Sequence, residues 1–176
     1  SRSMAYRITS TALMAALLCA VAPVSLPIGP VPVSMATQAI YLAAYILGPR
    51  LAAASCLIYL LMGFAGLPVF SGFSGGPGQL LGPTGGYLAG YLPLALISGW
   101  FVRRVPGSRL LAGTGMVLGT AALYALGTAW LAFQLSLPLP AALATGVLPF
   151  LPGDAAKIFI VLTVGPSIAA RLSIPE

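Results

Sequence analysis

Pro152-Gly153-Asp154-Ala155-Ala156-Lys157 holds the one lysine of the chain and its one carboxylate away from the C-terminus, with apolar sequence on both sides. Residues 154 and 157 stand at i and i+3, so on a helix they share a face and lie within pairing distance. Asp154 also stands where an acid near a helix start meets the positive end of the helix dipole. A charge at the centre of a membrane helix costs about 2.5–3.5 kcal/mol on insertion scales, so each needs a partner or a function. Two readings follow: a self-compensating pair that starts the last helix, or a pair that holds a ligand.

The surroundings fix the solvent. Hydrophobic residues make up 59% of the 176 and charged residues 6%, with a mean hydropathy of +1.03. Such a chain cannot present a soluble surface and reads as an all-α integral membrane protein. At about 20 residues per spanning helix the length gives six spans with short loops, in a single membrane domain over residues 1–176, with no room for a soluble catalytic or ATP-binding domain. Apolar runs bounded by Pro, Gly and Arg predict spans near 8–26, 33–48, 51–68, 84–102, 111–134 and 154–171. Residues 141–153 are apolar but broken by Pro149, Pro152 and Gly153, which suggests a half-helical approach to the last span. Ser1-Arg2-Ser3 before Met4 reads as a cloning remnant, and no cleavable leader is expected.

Charge orients the bundle. The net charge is +6, but the arginines stand singly or in a pair at the ends of apolar runs, the pattern of membrane orientation and not of a nucleic-acid stripe. With six spans, Arg2, Arg7, Arg50, Arg103, Arg104, Arg109 and Arg171 all fall on one face. By the positive-inside rule that face, with both termini, is cytoplasmic. Lys157 breaks the rule and is expected near the outer face. Trp100 and Phe101 beside Arg103 predict an inner interfacial belt; Trp130 and Phe133 predict an outer belt or a pocket wall.

Other motifs narrow the chemistry. Cys19 and Cys56 lie in apolar runs and no histidine is present, so neither a metal site nor a disulfide framework is expected. Glycine spacing and the single lysine give no Walker A loop or dinucleotide fingerprint, so a partner would have to supply energy for any pumping. The outer loop at 27–32, with Pro27, Pro30 and Pro32, reads as a lid or wall. The loop from Pro68 through Ser71, Gln79, Gly82 and Thr84 to Tyr87 is long and glycine-rich, which suits close backbone approach to a ligand or a plain connector with Thr84 capping the fourth span. Ala12, Ala16 and Ala20 recur every four residues in the first span, a small-residue stripe for internal packing or for docking another membrane subunit.

In order and spacing, several segments resemble the BioY family, the biotin-specific substrate-binding (S) components of energy-coupling factor (ECF) vitamin transporters. They are Pro30-Val31-Pro32, Leu47-Gly48-Pro49-Arg50, Gly66-Leu67-Pro68-Val69-Phe70, Gly82-Pro83-Thr84-Gly85-Gly86-Tyr87-Leu88, and Pro152-Gly153-Asp154 with Lys157. The resemblance covers nearly the whole chain. It implies a six-helix bundle in the cell membrane of a prokaryote that captures biotin from outside, with no cofactor and no enzymatic activity of its own. A transmembrane coupling subunit and ATPase subunits would be the partners, docking on the alanine stripe. Asp154 and Lys157 correspond to the family's polar binding pair and Tyr87 to its aromatic position. After Pro-Val-Pro the family pattern has Gln where this chain has Ala36, followed by Thr37 and Gln38. For biotin, Asp154 would accept from the ureido N–H groups and Lys157 would meet the carboxylate, with Gln79, Gly82 and Thr84 completing the contacts. An S component for another vitamin is the alternative. An intramembrane enzyme fares poorly on one Asp and one Lys, and a purely structural subunit would leave the pair nothing to do beyond pairing.

Overall fold

The structure, a computed structural model, describes residues 2–172. Helix α1 runs over Arg2–Val21, α2 over Ala36–Phe64, α3 over Pro77–Leu81, α4 over Gly85–Arg104, α5 over Arg109–Leu135, α6 over Leu139–Gly146 and α7 over Leu151–Leu172. A short antiparallel hairpin of β1 (Ser25–Leu26) and β2 (Val33–Ser34) joins α1 to α2. Five helical segments are long and apolar enough to cross a membrane, the last of them including α6 and α7.

Helix α2 is not one rod. At Gly48 the backbone takes φ 81° and ψ −178°, and Pro49 follows. Proline removes a helical donor and clashes with the preceding turn, and the positive φ is open to glycine. Thr37 in the first half and Tyr59 in the second both come close to Tyr91: Thr37 lines a cavity with it and the Tyr59 ring lies 6.4 Å away. A straight helix would hold residues 22 positions apart at about 33 Å, so the chain folds back at Gly48. A Cβ at Gly48 would meet Arg103 Nε at 2.6 Å, and Arg103 donates to the Ile46 carbonyl at 3.3 Å, holding the end of the first half.

The core lies where both halves of α2 meet α4, α5 and α7. Tyr41, Tyr59, Phe70, Leu94, Met116 and Leu131 are fully buried there. Tyr41 hydrogen-bonds Thr120, tying α2 to α5, and Ser55 donates to the Thr11 carbonyl of α1 at 3.1 Å. The outward-facing residues are equally apolar, with Leu13, Leu110, Phe133 and Phe159 all exposed. In water such a surface would aggregate; in lipid it is ordinary.

Some local expectations change. The first helix ends at Val21, five residues before the apolar run does, because the chain turns into the hairpin: Met35 N–H donates to the Val24 carbonyl at 3.2 Å. Thr84 precedes α4 but its side chain makes no capping hydrogen bond. The 141–153 stretch forms α6, a 3-10 turn at Leu148–Phe150 and the first residues of α7, so Asp154 enters on the helix's first turn. Ser1 of the expected remnant lies outside the described residues, while Arg2 and Ser3 belong to the backbone of α1.

Candidate functional site

The Asp154 carboxylate and Lys157 ammonium stand 3.5 Å apart at the N-terminal end of α7, only 6% and 8% exposed. Lys157 donates to the Ser34 carbonyl at 2.7 Å and to Thr37 Oγ1 at 2.8 Å. These two hydrogen bonds and the Asp154 ion pair hold the ammonium in place. Thr37 Oγ1 also lies 3.4 Å from Asp154 Oδ1, and Tyr124 donates its hydroxyl to Asp154 Oδ2. Four elements, β2, α2, α5 and α7, thus meet at one buried polar knot. Two hydrogen bonds hold Ser34 in position beneath Lys157, since its hydroxyl donates to the Ala22 carbonyl at 2.8 Å and accepts from Ala36 N–H at 3.1 Å.

The knot floors a small recess of about 40 Å³ walled by Val31, Tyr87, Tyr91, Leu123 and Phe150. Above it lies a wider chamber of about 270 Å³, lined by Pro30, Phe70, Gln79, Gly82, Thr84 and again Val31, Pro32, Tyr87 and Tyr91. The shared walls make the two chambers one cleft, near the lower end of the range of about 300–1,000 Å³ for small-molecule sites. The cleft is apolar and aromatic along its sides, and polar at its floor and mouth.

Each wall has a local cause. The hairpin sets Pro30, Val31 and Pro32 over the cleft, tied to the next loop by Gly72 N–H donating to the Pro23 carbonyl at 3.1 Å. Helix α3 is held on α5 by Trp130, whose Nε1–H donates to the Gly82 carbonyl at 2.7 Å. Tyr87 donates its hydroxyl to the Gly146 carbonyl at 2.8 Å. Its ring fits where Gly127 has no side chain and its hydroxyl where Gly146 has none, since a Cβ at either would collide with it. Its hydroxyl is therefore engaged by α6, leaving the ring as the cleft wall.

Of the residues singled out in the sequence, Asp154, Lys157, Tyr87, Gln79, Gly82 and Thr84 all line this one cleft. Asp154 and Lys157 lie at the floor with Tyr87 above them, and Gln79, Gly82 and Thr84 lie at the mouth. The head groups of Asp154 and Lys157 are too close together to serve opposite ends of an extended ligand. Ser34 and Tyr124 did not stand out in the sequence, and Thr37 entered only beside Ala36 in the departure from the family pattern: a lone hydroxyl in an apolar helix gives no signal until the fold brings it beside a charge. Thr37 supplies polar contact from the start of α2, one position after Ala36. Ala12, Ala16 and Ala20 are exposed on the outer face of α1, away from this cleft.

Residues 1–174 match the BioY family. Biotin transporter BioY2 of Lactococcus lactis subsp. cremoris is 34% identical over 168 residues, which span 96% of this chain and 92% of the relative. Biotin transporter BioY of Thermotoga maritima is 36% identical over 157 residues, 89% of each chain. The fold is similar to the crystal structure of the S-component for biotin from an ECF-type ABC transporter, with a TM-score of 0.89 at 28% identity over 96% of this chain and 93% of that one. On this match across its length, the chain belongs to the BioY family.

Proposed function

We propose that this chain is the biotin-binding S component of an ECF-type uptake transporter, a transport subunit and not an enzyme. The observation that carries this reading is the buried knot of Asp154, Lys157, Thr37 and Tyr124 at the floor of an apolar cleft. It offers a carboxylate acceptor and an ammonium donor 3.5 Å apart. A ureido group presents N–H donors and a carbonyl acceptor at about that spacing, whereas a simple carboxylate offers acceptors alone. The ureido ring is thus assigned to the floor, with its N–H groups on Asp154 and its carbonyl on Lys157. The thioether ring and chain lie against Tyr87, Tyr91 and Val31. The carboxylate points to the mouth, where Gln79, Thr84 and the Gly82 backbone supply polar contact.

In this reading the two halves of α2 are separate spans, so that six helices cross the cell membrane as one domain. The Arg50 turn and the Arg103–Arg109 loop, with both chain ends, face the cytoplasm, and the cleft faces outward. That orientation follows from the arginine distribution. ATP hydrolysis belongs to partner subunits bound through a transmembrane coupling subunit, and the exposed stripe of Ala12, Ala16 and Ala20 is the docking face. Biotin is the ligand, with no further cofactor.

The test is calorimetric titration of the purified protein with biotin, with riboflavin, thiamine and lipoate beside it. Tight 1:1 binding of biotin alone is expected; no response to biotin from folded protein would remove the assignment. Two analogues report on the pose. Biotin methyl ester, which lacks the free carboxylate, should lose less affinity than a diamine analogue in which the ureido carbonyl is removed. The reverse order would turn the ligand around.

A further inference from the structure

An apolar groove of about 640 Å³ runs along the outside of the bundle between α5 and α7, lined by Arg109, Leu110, Gly113, Thr114, Val117 and Leu118 of α5 and by Ile158 and Leu162 of α7. The trough exists because position 113 carries no side chain, and a Cβ there would reach Leu162 Cδ1 at 3.1 Å. One end of the groove is charged. Arg109 is exposed, and Asp154, the one acid among the described residues, belongs to the polar knot farther up the bundle.

From these observations we infer that the groove holds one anionic phospholipid, with its phosphate on the Arg109 guanidinium and an acyl chain along the trough. Length and charge support this occupant together. From Arg109 to Leu118 is nine residues, about 14 Å of helix rise, and one leaflet of hydrocarbon is about 15 Å deep. A guanidinium at the head of a trough one leaflet long suits a phosphate joined to a single chain, and guanidinium–phosphate pairing is charge-assisted and often bidentate. A peptide helix would need a broader face.

At its deep end the groove meets a second recess. Val117 and Ile158 are shared with this apolar recess, of about 250 Å³, that continues to Tyr124 and Asp154. The tail end therefore abuts the floor of the ligand cleft from its membrane side and covers the thinly packed gap between α5 and α7. The lipid site itself does not depend on which ligand the cleft takes.

The experiment uses the full chain in detergent, stripped of lipid and supplied with phosphatidylglycerol or phosphatidylcholine of matched chains. Native mass spectrometry counts retained lipid, and thermal unfolding reads its effect. One phosphatidylglycerol per chain should be retained, at least fivefold over phosphatidylcholine, with a raised Tm. Arg109→Gln should bring retention down to the phosphatidylcholine level. Val117→Trp, at an exposed position where it fills the trough, should lower retention of both lipids. Neither residue belongs to the ligand cleft, so biotin titration of both variants should match the parent and show that they are folded. Equal retention of the two lipids by the parent, or unchanged phosphatidylglycerol retention in Arg109→Gln, would overturn the site. Retention of a partner helix on this face in place of lipid would do the same.

Discussion

At the residue scale the buried ion pair invites two accounts, and its energetics separate them. Removing one partner strands the other: Lys157→Ala leaves a buried carboxylate without its cation, a loss of about 3–5 kcal/mol for such pairs, and biotin binding should vanish with it. That outcome alone fits a structural pair as well as a binding pair. Replacing both at once is more telling, because apolar substitution of a whole buried pair is often neutral or stabilising by about 1–4 kcal/mol. Asp154→Leu with Lys157→Met should therefore unfold at or above the parent Tm while its affinity for biotin falls by at least 100-fold. If the double variant still binds biotin, the pair serves only the fold. A finer prediction concerns Tyr124, whose hydroxyl donates to Asp154 Oδ2. Hydrogen bonds to charged groups contribute about 1.5–3 kcal/mol, so Tyr124→Phe should weaken biotin at least tenfold in the same titration; unchanged affinity would mean that Thr37 and Lys157 alone orient the carboxylate. Asp154 and Lys157 were conspicuous in the sequence because a charge in an apolar run has no cheap explanation. Thr37 and Tyr124 were not, since they reach Asp154 across 117 and 30 positions respectively and nothing local marks them.

The break in α2 shows, at the scale of an element, what a sequence can and cannot specify. Gly48-Pro49 was legible as an interruption between two apolar runs because proline cannot continue the helix it enters. The reversal is fixed by φ 81° at Gly48 and by Arg103 packed against it. An L-residue held in that conformation, which is essentially restricted to glycine, costs about 1–3 kcal/mol, and a Cβ would also press on Arg103. Gly48→Ala should accordingly lower Tm by several degrees in detergent, with little effect on biotin affinity, since the turn lies at the opposite end from the cleft. A Tm within one degree of the parent would show that the turn tolerates a side chain. The hairpin was less legible. Residues 21–26 are as apolar as the span before them, and hydropathy alone carries the helix through; the ladder of Ser25 with Ser34 and Leu26 with Val33 forms from segments too short to show an alternating pattern. Helix α3, five residues long, is likewise below the length at which periodicity can be seen. Both elements line or border the cleft mouth, so the local structure there was hard to read even though Gln79, Gly82 and Thr84 stood out as residues.

For the whole molecule, the question is which apolar surface faces lipid and which awaits protein. Composition settled that the exterior would be apolar, and it therefore could not distinguish one outer face from another. Helix α1 does so by spacing. It is buried through residues such as Ala15 and Leu18, while Ala12, Ala16 and Ala20 stand outward on one stripe. Lipid tails pack well against large side chains, so a flat run of methyl groups gains little from lipid and much from a helix that can approach closely. Placing a large residue there should block approach without touching the cleft on the other side of α2. Ala16→Trp is expected to titrate with biotin within about twofold of the parent, yet to lose co-purification with a coupling subunit and to lower uptake in cells by at least tenfold. Biotin binding and uptake would then part company in a single variant, as they must if capture and energy supply reside in different chains. Undiminished uptake by Ala16→Trp would move the docking surface to another face of the bundle, and loss of binding together with uptake would return the stripe to the packing of the fold.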